Sequence, residues 1–119
     1  MKKILIVEDD PFLIDIYVTK FEKRGYNVTS AKDGEEALEC ALREPFDIIM
    51  LDIILPKMDG WDVLREIRNS KERKDARVVV LSNSEDDSKR IQQQLRVEKH
   101  LIKAHYTPEE TVKEVEELL

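Results

Sequence analysis

The chain is poor in the residues that staple small folds. It has one cysteine, Cys40, in 119 residues, which excludes an intrachain disulfide framework and a cysteine-based zinc site. Cys40 lies beside Ala37 and Ala41 of a predicted helix, where a packing role is expected. Positive charge is the minority sign: 20 Lys and Arg stand against 26 Asp and Glu, a formal net charge of −6. Non-specific nucleic-acid binding, which rests on counterion release by Lys and Arg, is disfavoured. A metal ion or a basic partner surface suits this balance better. No apolar run approaches the roughly 20 residues that a membrane span needs. Met1-Lys2-Lys3 leads straight into Ile4-Leu5-Ile6-Val7, too short a run for a signal peptide's apolar region. A cytoplasmic protein is the default expectation.

What the sequence does have is alternation. Apolar residues make up 41% and charged residues 39%, enough for one domain with a modest core and a well-solvated surface. Unbroken apolar runs occur at Ile4 to Val7, Ile48 to Leu51, Val78 to Leu81 and Leu101-Ile102, with a weaker strand candidate at Asn27 to Ala31. Such β-branched runs predict strands buried on both faces, as in a parallel sheet. Between them apolar residues recur at helical spacing: Leu13, Ile16, Tyr17 and Phe21, ended by Gly25; Leu38, Ala41 and Leu42 after the Asp33-Gly34 turn; Val63, Leu64 and Ile67; a weak set at Ile91 and Leu95; and Val112, Val115 and Leu119. The last helix has a well-formed start, with Thr107 as N-cap, Pro108 in the first turn and Glu110 three residues after the cap. Right-handed crossovers then place helices on both faces of a parallel sheet, an α/β doubly wound architecture. No linker or repeat interrupts the pattern. One domain over residues 1–119 is expected, with no output domain attached.

Ligands of open α/β sheets bind at the carboxyl ends of the strands. Glu8, Asp9 and Asp10 follow the first run, Asp52 the third, Ser82 and Asn83 the fourth, and Lys103 the fifth. Acids are common in this chain, and Asp and Ser also cap helices, so Asp10 and Ser82 taken singly predict caps. Asp52 is different, because it stands between Ile48-Ile49-Met50-Leu51 and Ile53-Ile54-Leu55. A partly desolvated carboxylate there needs a partner. Carboxylates gathered at one edge repel one another and raise their pKa values unless a cation offsets the charge. Mg2+ fits, since it takes a few hard oxygen ligands and leaves places for phosphate oxygens. A carboxylate, a hydroxyl and a lysine beside Mg2+ form a phosphate-handling set, in which Asp can act as the nucleophile.

The segments ILIVEDD, IIMLDIILPKMDGWDVL, VVVLSNS and HLIKA resemble the receiver domains of two-component response regulators, over residues 3 to 119. The resemblance implies a flavodoxin-like five-stranded sheet of order 2-1-3-4-5 with five helices. It implies Asp52 as phosphoacceptor and Mg2+ held by Asp9, Asp52, the backbone carbonyl of Ile54 and, more indirectly, Glu8. Ser82 matches the hydroxyl that follows the phosphoryl group, and Lys103 the lysine that contacts it. Pro56 and Gly60 match the loop after the acceptor. The implied donor is a phosphohistidine on a sensor histidine kinase or phosphotransfer protein. The implied output is a downstream protein bound by the fourth helix, fifth strand and fifth helix, with a phosphorylation-dependent homodimer as a further option. The chain would then be no enzyme beyond catalysing its own phosphorylation and dephosphorylation.

Departures from the family pattern are informative. Ala104 follows Lys103 where Pro, often with a cis bond, is usual; before a non-proline a cis bond costs about 2.5–4 kcal/mol, and the isomer stays open. His100 stands at the switch position, usually Tyr or Phe, and reads either as that switch or as a surface histidine on an edge strand. Arg96 stands where Gly is frequent. Ile54 is apolar where many members carry a polar residue that orients water, so slow loss of the phosphoryl group is expected. Trp61 is expected to anchor a loop, and Tyr106 either packs or faces a partner. The alternative function is a pseudo-receiver, a binding module that does not switch by phosphate. An aspartate-nucleophile phosphatase is disfavoured by Ile54, where a second Asp would stand. An FMN protein is disfavoured by Glu8-Asp9-Asp10-Pro11, which would repel phosphate.

Overall fold

The structure, a computed structural model, describes residues 1–83 and 89–119, with Lys89 described by its backbone alone. Five parallel strands form one sheet: β1 (Lys3–Val7), β2 (Asn27–Ala31), β3 (Ile48–Asp52), β4 (Val78–Ser82) and β5 (Lys99–Ile102), in the order β2-β1-β3-β4-β5. The helices α1 (Pro11–Lys23), α2 (Gly34–Arg43), α3 (Gly60–Asn69), α4 (Lys89–Leu95) and α5 (Pro108–Glu116) alternate with them. The sheet order and the five helices are those expected. Even the weak candidate strand at Asn27 pairs along its whole length, from Lys3 with Asn27 to Val7 with Ala31.

Strand parity divides the core in two. Leu5, Val7, Ile49, Leu51, Val78 and Val80 face α2 and α3, packing on Ala37, Cys40, Val63, Leu64 and Ile67, with Leu95 of α4 against the same cluster. Ile4, Ile6, Ile48, Met50, Val79 and Leu81 face α1 and α5, packing on Tyr17, Phe21, Val112 and Val115. Cys40 is a buried free thiol within the first cluster. Trp61 packs partly buried on the first cluster and Tyr106 on the second.

The helix starts are made by side chains. Asp10 caps α1, its Oδ1 accepting from the Phe12 N–H at 2.9 Å. Asp33 caps α2, and Thr107 with Glu110 forms a reciprocal capping box on α5. Arg96, just past α4, has φ +56°, a left-handed conformation that costs a side-chain-bearing residue about 1–2 kcal/mol and that glycine adopts freely. Its guanidinium reaches Asp75 Oδ1 at 3.0 Å and the Lys74 carbonyl at 2.8 Å. Arg68 of α3 donates to the carbonyls of Leu95, Arg96, Lys74 and Ala76, closing the end of α4. Among the described residues every peptide bond is trans, including Lys103–Ala104. No helix of the described residues is long and apolar enough to cross a membrane.

Candidate functional site

Glu8, Asp52 and Lys103 each continue the parity of Ile6, Met50 and Leu101. All three therefore emerge at the carboxyl edge on the α1/α5 side, and they meet. Lys103 Nζ lies 2.6 Å from Glu8 Oε1 and 2.8 Å from Asp52 Oδ2. The other Asp52 oxygen, Oδ1, accepts from the Ile54 N–H at 3.3 Å. Glu8 Oε2 accepts from the Asp10 N–H at 3.2 Å. Glu8 is only 1% exposed and Asp52 only 4%, so the desolvated acid expected at Asp52 is present together with its partner. Asp9 is exposed beside them. Carboxylate oxygens of Glu8, Asp9 and Asp52 all lie within 4.8 Å of one another.

Burial pushes the Glu8 carboxyl up, to a pKa of about 7; the Lys103 ammonium opposes this and the charge of Asp52 adds to it. Burial alone would pull the Lys103 ammonium down. The two carboxylates outweigh that pull and hold its pKa above the ordinary lysine value. The lysine stays charged while one of its two partners sits close to its own titration point.

The loop after Asp52 is pinned on both sides. The Gly60 N–H donates to the Ile53 carbonyl at 2.7 Å, and a Cβ on Gly60 would stand 2.7 Å from Ile53 Cα. The Gly34 N–H donates to the Pro56 carbonyl at 3.2 Å, and a Cβ there would stand 2.6 Å from the Met58 carbonyl carbon. Ile54 projects from this loop with 64% of its surface exposed.

Ser82 ends β4 on the opposite parity, that of Val78 and Val80. His100 pairs in register with Val80 and shares that side. It is half-buried and turned inward, so the surface alternative does not describe it. Its Nε2 is 2.5 Å from Ser82 Oγ, and its Nδ1 is 2.7 Å from Gln92 Nε2 on α4. Sequence reasoning did not single out Gln92; its only signal was the abundance of Gln in the weak fourth helix.

The fold and this edge define an α/β domain whose acidic pocket, closed by one lysine, can take a cation and present a buried carboxylate. The family model of the response regulator receiver domain matches residues 4–116. The chain belongs to that family, whose members are phosphorylation-dependent response regulators. The alkaline phosphatase synthesis transcriptional regulatory protein PhoP of Bacillus subtilis is 44% identical over 70 residues, covering 59% of this chain and 29% of that protein. The chain thus spans about a third of the length of the curated relatives it matches. Among solved structures, the chemotaxis response regulator CheY4 of Vibrio cholerae superposes with a TM-score of 0.89 at 27% identity, over 100% of this chain and 99% of that one. The response regulator TrrA of Thermotoga maritima, solved in complex with Mg2+–BeF, gives 0.84 at 30% identity, over 100% of both chains.

Proposed function

We propose that Asp52 is the phosphoacceptor of a phosphorylation-dependent switch. The observation that carries this reading is the buried Asp52 carboxylate, held 2.8 Å from Lys103 and within the acidic cluster of Glu8 and Asp9. Hydrogen bonds to both of its oxygens fix the carboxylate's orientation. In the reaction an Asp52 oxygen attacks the phosphorus of a phosphohistidine. The P–N bond breaks as the new P–O bond forms, and the electron pair returns to the donor imidazole, which takes up a proton. Lys103 stays charged and stabilises the negative charge on the transferring group. The donor is a sensor histidine kinase or phosphotransfer protein, and the setting is the cytoplasm.

The donor set of hard carboxylate oxygens suits Mg2+, with Asp9 and Asp52 as direct ligands, Glu8 more indirectly, and the Ile54 backbone carbonyl as a further ligand. Bound there, Mg2+ offsets charge on the phosphoryl oxygens. Ser82 follows the phosphoryl group, and His100 serves as the switch residue. The output face is α4, β5 and α5, which binds a downstream protein or a second phosphorylated copy. The chain catalyses only its own phosphorylation and dephosphorylation. Acetyl phosphate with Mg2+ should add one phosphoryl group by intact mass, and Asp52→Asn should abolish it. An unchanged wild-type mass would favour a pseudo-receiver instead.

A further inference from the structure

The loop that follows Asp52 is shaped from two strands away, by the start of α2. Asp33 caps that helix, its Oδ1 accepting from the Glu36 N–H at 2.8 Å, and Gly34 is the first helical residue. The N–H groups of a helix's first turn have no partner within the helix. Gly34 gives its own to the Pro56 carbonyl at 3.2 Å. The same carbonyl accepts from the Met58 N–H at 2.8 Å, which closes a three-residue turn around Lys57. Lys57 has φ +69°. A bond from residue i+2 back to residue i, with a positive central φ, is the rare and strained form of the γ-turn, and a residue with a Cβ disfavours it. Such strain persists where neighbours over-determine it, and it gathers at functional sites. Here the neighbour is Gly34. A Cβ on it would stand 2.6 Å from the Met58 carbonyl carbon, so helix start and turn meet backbone to backbone. The pull of Asp33 on Lys57 is secondary, because Nζ lies 3.7 Å from Oδ2 on a side chain that is 59% exposed. Toward its start the same loop reaches the acceptor, where the Ile54 N–H donates to Asp52 Oδ1 at 3.3 Å.

We propose that Gly34 and Lys57 are positioning residues for phosphorylation: the start of α2 holds the turn at Lys57 in its left-handed conformation, and that turn holds the Ile54 N–H on the Asp52 carboxylate. The proposal rests on Asp52 as the phosphoacceptor. The other acceptor oxygen, Oδ2, is held by Lys103, so the loop decides how the carboxylate is turned about that contact. α2 supplies none of Glu8, Asp9, Asp52 and Lys103, yet it acts on the acceptor through backbone alone.

Two measurements on the full chain test it, with far-UV circular dichroism confirming that each variant folds. The first is the rate of phosphorylation by acetyl phosphate with Mg2+. Gly34→Ala should slow it by about tenfold, the scale of one hydrogen bond to a charged group. Lys57→Val, whose branched Cβ opposes a positive φ, should slow it similarly without adding an atom at Gly34. Lys57→Gly, which lacks the ammonium but suits the conformation, should recover most of the rate that Lys57→Val loses. The second is the Ile54 amide resonance, which should move in Gly34→Ala and Lys57→Val and return toward the wild-type position in Lys57→Gly. Thr107→Ala, destabilised at α5, should change neither. A wild-type rate in Gly34→Ala or Lys57→Val would overturn the proposal. So would a slowed rate with an unmoved Ile54 amide, a Lys57→Gly as slow as Lys57→Val, or a Thr107→Ala slowed alongside them. Absence of phosphorylation in the wild type, or its persistence in Asp52→Asn, would instead overturn the phosphoacceptor reading beneath it, while the Ile54 amide would still report on the loop.

Discussion

Replacing Glu8 by glutamine should make the protein more stable at neutral pH and leave it nearly unchanged in mild acid. Glu8 ionises near 4.5 in the unfolded chain, and burial raises its pKa to about 7 in the folded one. Between those values the folded state keeps a proton that the unfolded state has lost, so stability falls as pH rises. At about 1.4 kcal/mol per pH unit, the whole interval amounts to roughly 3 kcal/mol, a substantial share of the 5–15 kcal/mol typical of a domain. Glutamine cannot ionise, yet it still offers Lys103 an oxygen. The stability difference, Glu8→Gln minus wild type, should be flat below about pH 4.5, rise through neutrality and level off above pH 7. Glu109 behaves in the opposite sense. Hydrogen bonds from Lys20 and then Arg24 hold its pKa down to about 2, so its contribution is lost only as pH falls below about 4.5. It is common to both proteins and cancels. Urea unfolding followed by far-UV circular dichroism from pH 4 to 8, in chelator, measures the difference directly. Parallel curves for the two proteins would refute the argument that burial sets the Glu8 proton. Added Mg2+ should stabilise the wild type more at pH 8 than at pH 5.5, because only the ionised carboxylate is a good ligand.

Other expectations follow from single contacts. The exposed, apolar Ile54 side chain offers no group to orient water, so the phosphorylated form should be long-lived; Ile54→Asn should shorten its half-life, and an unaltered decay would remove the argument. Gly60→Ala places a Cβ against Ile53 Cα and should cost about 3 kcal/mol or more through overpacking, read as a lower urea midpoint together with slower phosphorylation. Thr107→Ala breaks the capping box of α5 and should cost about 1 kcal/mol in the same assay, without altering the phosphorylation rate.

Much of this was legible in one dimension because the deciding signals are local. Strands buried on both faces need unbroken apolar runs, and the chain has them. The caps at Asp10 and Thr107 are read from neighbours within three residues. Glu8, Asp52 and Lys103 could be gathered from the sequence because parallel strands with crossovers bring their carboxyl ends to one edge. What escaped depends on long-range packing. His100 lies on a short edge strand beside Lys99, and nothing in the alternation there states which side is covered. The answer comes from α4, whose Gln92 reads in the sequence as one more polar residue of a weakly apolar helix. Arg68 similarly reads as surface charge, while its guanidinium closes the end of a helix 27 residues away.

The pinned loop between Asp52 and α3 makes the frame around the acceptor unequal. On that flank Gly34 and Gly60 press backbone against backbone, and yielding there would break close packing. At the end of β4 the described contact is between side chains, Ser82 Oγ lying 2.5 Å from His100 Nε2. A bulky anion added to Asp52 thus has a closely packed backbone on its loop side. Any displacement that anion causes should therefore fall on side chains before it falls on this loop.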